Sequence, residues 1–498
     1  MQFWTANNDY VYLSLGHAIH FQTSLHANVE SDYGLLSHPG VPFYFASWLA
    51  LRAAALLDSG NDIVRSALSN PDHFFWATRI IAGLIGAAAL AATWFLLRGI
   101  TAPWRLLAVL AFFAAAPASL RYGLVLLGNE TFALPLAVLL FWAVSLCARA
   151  SPKANWPWLL LGAVAALGYT VKLLYLDLLV AAVAVAAIDG CWESRRLNMT
   201  LIIGLVRRTG LVAIAFLAVA GSVLITTLGR GGLYVLLLFH KSLFTHGTGD
   251  IGFVSTAAIH ELLVHWIAET TLPYLLPLVV AGLCVIVVRG KPGLTLDRLT
   301  VLWTTAALAA IVSAVAAVLK RDDSHYVVAI CALLPFAFLP ILAQHQIRWI
   351  AAAGIAGSLG FTTFHAAHEF SEESKAAAAI MEDEAKILAM PLLPGEARLW
   401  TYRVPSEQFA AAFVATYAGV DSLSAALADP TRQDFSSYSR VNRPYRYIVL
   451  YNTSFQTADD VRKTQGSLER TQALMVPLAP EDQIHILKRL VVVEKPGP

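Results

Sequence analysis

Long apolar runs separated by short polar connections make up most of the chain up to about residue 364. About twenty apolar residues cross the hydrocarbon core of a bilayer as a helix. The pattern predicts ten transmembrane helices, at residues 74–97, 104–120, 131–148, 157–171, 173–188, 209–228, 272–288, 300–319, 325–343 and 347–364. Residues 42–57 are also apolar, but this segment is short and carries Arg52, which favours a helix lying in the membrane interface. We therefore expect a mainly α, polytopic transmembrane helical bundle with interfacial helices.

The basic residues between these runs predict the orientation of the helices. Lys and Arg are concentrated in the cytoplasmic loops of membrane proteins. If residues 74–97 run from outside to inside, the basic connections are all cytoplasmic: those with Arg98, Arg105, Arg149, Lys153, Arg195, Arg196, Arg207, Arg208, Arg289, Lys291, Arg298 and Arg348. The outer side then receives residues 1–73, the connection before residue 131, the loop 229–271, the hairpin 320–324 and the tail.

The composition changes after residue 364 and predicts a soluble tail. Residues 365–394 are rich in charge and alanine and favour a polar connecting helix. Beyond them, strands are predicted at 398–402, 445–451 and 484–494, with helices at 408–417 and 458–474. The predicted domains are an outer first loop (1–73), a transmembrane domain (74–364), the connecting helix (365–394) and a small outer α/β domain (395–498), of ordinary domain size.

Composition narrows the function classes. The chain has 498 residues, of which 57% are hydrophobic and 14% charged, with a mean hydropathy of +0.62. A formal net charge of +2 with scattered basic residues argues against a nucleic-acid partner. The four cysteines lie in or beside apolar runs without CxxC spacing, so neither a disulfide framework nor a thiolate metal site is indicated.

Two carboxylates on the predicted outer side are candidates for chemistry. Asp9 precedes Tyr10 and an amphipathic stretch, so it is either a general base or the N-cap of a helix. Glu130 directly precedes the predicted span 131–148, where a negative charge also stabilises the helix dipole. Placing a carboxylate near lipid costs free energy, and such residues often have a functional role.

Six segments, taken in order, resemble the C-type membrane glycosyltransferase superfamily. Within it, the similarity is to bacterial relatives of protein O-mannosyltransferases and lipid A aminoarabinose transferases, over about residues 1–345. The segments are Asp9-Tyr10, Ser37–Pro42, Ala77–Leu84, Gly128–Phe132, Ala166–Lys172 and Lys320–Tyr326.

The resemblance implies a transferase of the bacterial cytoplasmic membrane with its active site on the outer side. A sugar would leave a polyprenyl-phosphate donor in one inverting displacement and join a lipid, glycan or protein acceptor. Asp9 would be the base and Glu130 a second acid that positions the acceptor or the partners of Asp9.

Other site residues follow from the same resemblance. Cations at the outer interface suit the phosphate of the carrier; the candidates are His38, Lys172, Lys320 and Arg321. For Lys172 and Arg321 the alternative is snorkelling to lipid headgroups. The substrate pocket would include Tyr10, His246, Asp250, His325 and Tyr326, although Gly247 and Gly249 beside two of them also mark a simple turn.

The chain departs from this family pattern in three respects, one of which is His38-Pro39-Gly40 in place of the commoner His-Pro-Pro. Family members place a transmembrane helix ahead of the acidic motif, so we expect such a helix upstream of the eight residues that precede Asp9. The usual pair of consecutive carboxylates is Asn8-Asp9 here, so no metal site or other cofactor is indicated, and a divalent metal is left open.

Two other function classes remain open at this stage. A transporter or flippase for a lipid-linked substrate would use the same cations for binding only. Transporters place ionisable residues at mid-membrane and often contain inverted repeats, whereas here the charges gather at one interface and no repeat is visible. A non-catalytic scaffold that acts through its soluble tail is the third alternative.

Overall fold

The computed structural model describes residues 40–57, 71–103, 126–151, 153–193, 199–228, 297–318, 327–342, 348–393, 397–400, 445–451, 456–463 and 479–496, with isolated positions between them.

Most of the described residues are helical, which confirms the mainly α fold class. The α-helices are α1 Val41–Ala55, α2 Pro71–Leu97, α3 Ala133–Arg149, α4 Trp156–Val171, α5 Asp177–Glu193, α6 Met199–Leu228, α7 Arg298–Val318, α8 Val327–Leu342, α9 Arg348–Ala389 and α10 Ala458–Lys463. Two 3₁₀ turns, Asn129–Phe132 and Leu173–Leu176, lead into α3 and α5.

Four helices in the described part of the chain are long and apolar enough to cross a bilayer, which indicates a membrane protein. They contain the segments His73–Leu97, Asn129–Arg149, Ile202–Thr227 and Arg298–Ala316. Helices α4 and α8 are apolar but shorter. The prediction of ten spans is not confirmed. All of residues 272–288 and most of residues 104–120 lie outside the described residues.

The chain divides into two compact units. The sheet unit comprises Met1–His26, Ser47–Ala77 and Ala367–Pro498, and the bundle unit comprises Ala27–Ala46 and Thr78–Ala366. In the bundle unit, α4 packs along α6, α5 packs along α7, and α3 packs against α4 and α7. The α4–α6 contact needs Gly162, because a Cβ there would collide with the carbonyl oxygen of Val212. Small residues permit such close helix packing in membranes.

Three helix boundaries differ from those that the apolar runs predict. Helix α6 begins ten residues earlier than predicted, and a 3₁₀ turn replaces the start of the predicted span 173–188. Helix α9 is continuous through the predicted span 347–364 and most of the connecting helix, to Ala389. Its sequence contains no proline and is rich in alanine, so nothing interrupts the helix until Pro391 follows it.

The tail contains a four-stranded sheet in the order β1-β2-β4-β3. The strands are β1 Ala397–Trp400, β2 Tyr445–Tyr451, β3 Gln483–Ile486 and β4 Leu490–Glu494. Strands β1 and β2 are parallel, whereas β4 runs antiparallel to β2 and β3. The predicted single strand 484–494 is wrong: the N–H of Leu487 donates to the carbonyl of Leu490 at 2.8 Å and closes a turn between β3 and β4. The predicted helix 408–417 lies outside the described residues.

The turn between β3 and β4 is anchored to α9 by a buried carboxylate. Asp383 accepts hydrogen bonds from the backbone N–H groups of Arg489 at 2.6 Å and Leu490 at 3.2 Å. The neighbouring Glu382 is exposed and binds Lys386 and Lys488. Hydrogen bonds from these two ammonium groups lower the pKa of Glu382 to about 2.

Replacing Asp383 by alanine should lower the free energy of unfolding of the full chain by about 1–3 kcal/mol, since one buried and one partly buried N–H group lose their acceptor. Thermal or denaturant unfolding measures this loss. Glu382→Ala is the matched control and should have a much smaller effect, because its ion pairs are exposed. Equal losses in the two variants would show that Asp383 does not anchor the turn.

Candidate functional site

The first element of the site is the 3₁₀ turn that carries Glu130. The turn starts after Gly128, whose N–H donates to the Thr131 hydroxyl oxygen at 3.0 Å. The same hydroxyl donates to the carbonyl of Leu126 at 2.9 Å. These local bonds hold the turn ahead of α3, and Glu130 within it is only 2% exposed.

The second element is the end of α4, which carries Lys172. The N–H of Lys172 still donates to the carbonyl of Gly168 at 3.1 Å, while its own backbone is extended and ends the helix. A Cβ on Gly168 would lie 2.6 Å from a methyl carbon of Leu178 and 3.2 Å from the Cβ of Tyr175. The glycine therefore allows the chain after Lys172 to fold back closely against α4.

These two elements bring Glu130 and Lys172 together. The Lys172 Nζ lies 2.5 Å from Glu130 Oε1, and the two side chains are 10% and 3% exposed. A buried charge needs a partner of opposite charge or a shell of hydrogen bonds, and here each supplies a partner for the other. Lys172 is thus held inside the protein, which is contrary to the snorkelling interpretation.

More polar groups lie beside this ion pair. The Tyr175 hydroxyl donates to the main-chain carbonyl of Asn129 at 3.3 Å, a long hydrogen bond. The Tyr175 phenol is within electrostatic range of the carboxylates of Glu130 and Asp177. Asp177, the first residue of α5, is 1% exposed. We call Asn129, Glu130, Lys172, Tyr175 and Asp177 the polar cluster.

The start of α8 lies close to the turn that carries Glu130. A Cβ on Gly123 would lie 3.4 Å from Val328 Cγ1 and 3.8 Å from the carbonyl oxygen of Glu130. Gly123 therefore touches both α8 and the turn that carries Glu130. In the sequence, the segment Lys320–Tyr326 leads directly into α8.

A second charged cluster lies at the other end of the helices. Asp189 is fully buried and binds Arg298 through two hydrogen bonds, Nε–Oδ1 at 2.6 Å and Nη2–Oδ2 at 2.9 Å. The Nε of Arg208 lies 3.3 Å from Asp189 Oδ2, close enough for an ion pair. Arg298 also donates to the carbonyl of Ala148, near the C-terminus of α3, at 3.2 Å. We call Asp189, Arg208 and Arg298 the arginine clamp.

The two clusters occupy opposite ends of the bundle unit. Glu130 precedes the N-terminus of α3, and the arginine clamp contacts its C-terminus. A 17-residue helix is about 25 Å long. Arg208 and Arg298 thus lie at the end of the bundle unit away from Glu130 and Lys172.

The structure brings together two of the predicted site residues, Glu130 and Lys172. The others lie outside the described residues: Asp9, Tyr10, His38, His246, Asp250, Lys320, Arg321, His325 and Tyr326. Within the described part of the chain, no three His, Cys, Asp or Glu side chains are grouped as metal ligands would be. Cys147, Cys191 and Cys331 are free thiols, and Cys284 lies outside the described residues.

Sequence reasoning missed Asp177 and the partners of Asp189. Asp177 lies inside a run predicted as an ordinary span, where a lone carboxylate was the available signal. Arg208 and Arg298 were used only to predict topology, although they meet Asp189 from separate helices.

The chain matches no protein-family model and no curated protein. The functional argument therefore depends on the polar cluster and on the residues of the sequence motifs.

Proposed function

We propose that this chain is a membrane glycosyltransferase that moves a sugar from a polyprenyl phosphate to an acceptor in the cell envelope. One observation carries the proposal: Lys172 and Glu130, 42 residues apart, form a buried ion pair. Both were selected as site residues because of the motifs that contain them. A further motif, Lys320–Tyr326, leads directly into α8, whose first turn borders the same region.

The proposed reaction is a single displacement at the anomeric carbon. Asp9 removes the proton from the acceptor hydroxyl, whose oxygen forms the new bond to the anomeric carbon. The bond from that carbon to the phosphate oxygen breaks on the opposite face, and the polyprenyl phosphate leaves with the electron pair. Inversion at the anomeric carbon follows from this geometry.

Within this reaction, Glu130 and Lys172 have complementary roles. The Glu130 carboxylate holds the ammonium of Lys172 in one orientation, so the cation is in place before the donor phosphate binds. Cations stabilise the charge that develops on a leaving phosphate. Because the ion pair has no net charge, we assign most of the phosphate binding to His38, Lys320 and Arg321, and a positioning role to the pair.

The second candidate function is transport of a lipid-linked substrate. The observation in its favour is the burial of Glu130, Lys172 and Asp177 in a helical bundle, since ionisable residues inside membrane proteins frequently line substrate paths. A transporter would bind and move the lipid-linked sugar without breaking its phosphate bond. Formation of a glycosylated product distinguishes the two functions.

Replacing Glu130 by glutamine should reduce both stability and transfer. Gln can still accept a hydrogen bond from Lys172, but it removes the negative charge that Glu130 places beside the ammonium, so we expect a loss of about 1–3 kcal/mol in unfolding free energy. Transfer of a radiolabelled sugar should fall, but less than on loss of the general base, because Glu130 positions other groups.

The double variant Glu130→Gln/Lys172→Met separates a structural role from a functional one. It removes both charges, so stability should return towards the wild-type value while transfer remains low. Recovery of transfer together with stability would show that the pair only supports the fold, and it would remove the observation on which the proposal depends.

A further inference from the structure

Asp177 is exceptional among the buried carboxylates in the described part of the chain. Glu130, Asp189, Asp383 and Asp482 each have a charged or backbone donor on at least one oxygen. Neither oxygen of Asp177 has a hydrogen-bond partner, and the side chain is almost fully buried. The adjacent Leu178 N–H lies near the carboxylate without reaching hydrogen-bonding geometry.

A second acceptor without a donor lies in the same cluster. The side-chain oxygen of Asn129 is buried and has no hydrogen-bond partner. Tyr175 connects the two residues, since its hydroxyl donates to the Asn129 main chain and Asp177 follows it by two residues, within electrostatic range of its phenol. Three unpaired oxygen acceptors, one on Asn129 and two on Asp177, therefore belong to residues on either side of Tyr175.

A buried hydrogen-bond acceptor without a donor lowers the stability of the folded protein. Such acceptors are tolerated where a bound ligand supplies the donors. Burying a polar group without a hydrogen bond costs free energy, and burying an ionised carboxylate costs considerably more. Among the buried carboxylates that the structure describes, Asp177 alone has both oxygens unpaired, so it offers a position for incoming hydrogen-bond donors. A carboxylate accepts through two oxygens and an amide through one, which matches neighbouring hydroxyl groups of a sugar.

We propose that Asp177 and Asn129 form a subsite that binds hydroxyl groups of a sugar, next to the Glu130–Lys172 ion pair. The subsite deepens the proposed function, on which it rests, because it specifies what the polar cluster recognises. The sugar belongs either to the lipid donor or to a glycan acceptor, and both present the same hydroxyl chemistry.

Binding measurements on the full chain in lipid nanodiscs test this subsite. The probes are polyprenyl phosphates carrying mannose, glucose or galactose, the same polyprenyl phosphate without sugar, and the three methyl hexosides. In the wild type, at least one sugar-bearing lipid should bind more tightly than the sugar-free lipid. Asp177→Asn should weaken that binding about 10- to 100-fold, the factor for a lost hydrogen bond to a charged group. Binding of the sugar-free lipid should not change.

A second arm distinguishes the two sources of the sugar. If the subsite holds the acceptor, Asp177→Asn should instead weaken the binding of a methyl hexoside to protein saturated with the sugar-bearing lipid.

Without ligand, Asp177→Asn and Asp177→Leu should unfold at the wild-type temperature or above it, because both remove an unpaired buried carboxylate. Asp459→Asn, at an exposed position in α10, is the control and should behave as the wild type.

The subsite is refuted if neither arm responds to Asp177→Asn and Asp177→Leu, or if both variants unfold below the wild-type temperature without ligand. Failure of the proposed function gives a different result. A wild-type chain that binds the sugar through Asp177 but forms no glycosylated product would retain the subsite and would not be a transferase.

Discussion

Asp189→Ala is expected to lower the unfolding free energy of the full chain by about 3–5 kcal/mol, the range for breaking a buried ion pair on one side. Asp189 is fully buried, and Arg298 holds it with two hydrogen bonds of 2.6 and 2.9 Å. Removing the carboxylate leaves two arginines close together, with Arg208 also largely buried. The loss comes mainly from two positive charges that no longer face the Asp189 carboxylate rather than from the missing contact.

The arginine clamp connects helices that are distant in the sequence, so its loss should affect the whole bundle unit. Asp189 lies on α5, Arg208 on α6 and Arg298 on α7, while Arg298 also binds the carbonyl of Ala148 on α3. The Arg208 guanidinium lies 5.4 Å from the ring centre of Trp158 on α4, a cation–π distance. The arginine clamp therefore makes contacts with residues of five helices.

Thermal or denaturant unfolding of the purified chain in detergent measures the effect. Asp297→Ala is a matched control, because Asp297 is exposed and caps α7 through the Thr300 N–H at 2.7 Å, next to Arg298. Loss of a helix cap costs about 1 kcal/mol. A loss for Asp189→Ala no larger than for Asp297→Ala would mean that the clamp does not stabilise the bundle.

Long apolar runs predict the helices well, because the insertion of a helix into lipid depends mainly on its local composition. The described helices α2, α3, α7 and α8 fall on predicted runs with small boundary shifts. The strands at 397–400 and 445–451 also match, because alternation and β-branched or aromatic residues are local signals.

The pairing of charges depends on tertiary structure and is less accessible from the sequence. Arg298 lies 109 residues from Asp189, and no local pattern connects the two. Glu130 and Lys172 were selected through motifs, but their direct contact required the fold-back of the chain after Gly168. The turn between β3 and β4 was missed because residues 484–494 are apolar enough to be read as one strand.

Asp9→Asn should reduce transfer by roughly 10² to 10⁴, the usual contribution of general base catalysis. Asn accepts the same hydrogen bond from a helix N-terminus as Asp, but it cannot take up a proton. Folding and membrane yield should therefore remain close to the wild-type values if Asp9 is the base. Asp32→Asn, in the same predicted outer loop, is the matched control.

Transfer of a radiolabelled sugar from polyprenyl phosphate by the wild-type chain, Asp9→Asn and Asp32→Asn, at equal expression, tests the central claim most directly. The proposal predicts a labelled product from the wild type and from Asp32→Asn, and a loss of roughly 10² to 10⁴ in Asp9→Asn. Near-wild-type transfer by Asp9→Asn with none by Asp32→Asn would make Asp32 the base. Undiminished transfer by both variants would contradict the mechanism, and no transfer by the wild type would contradict the proposed function.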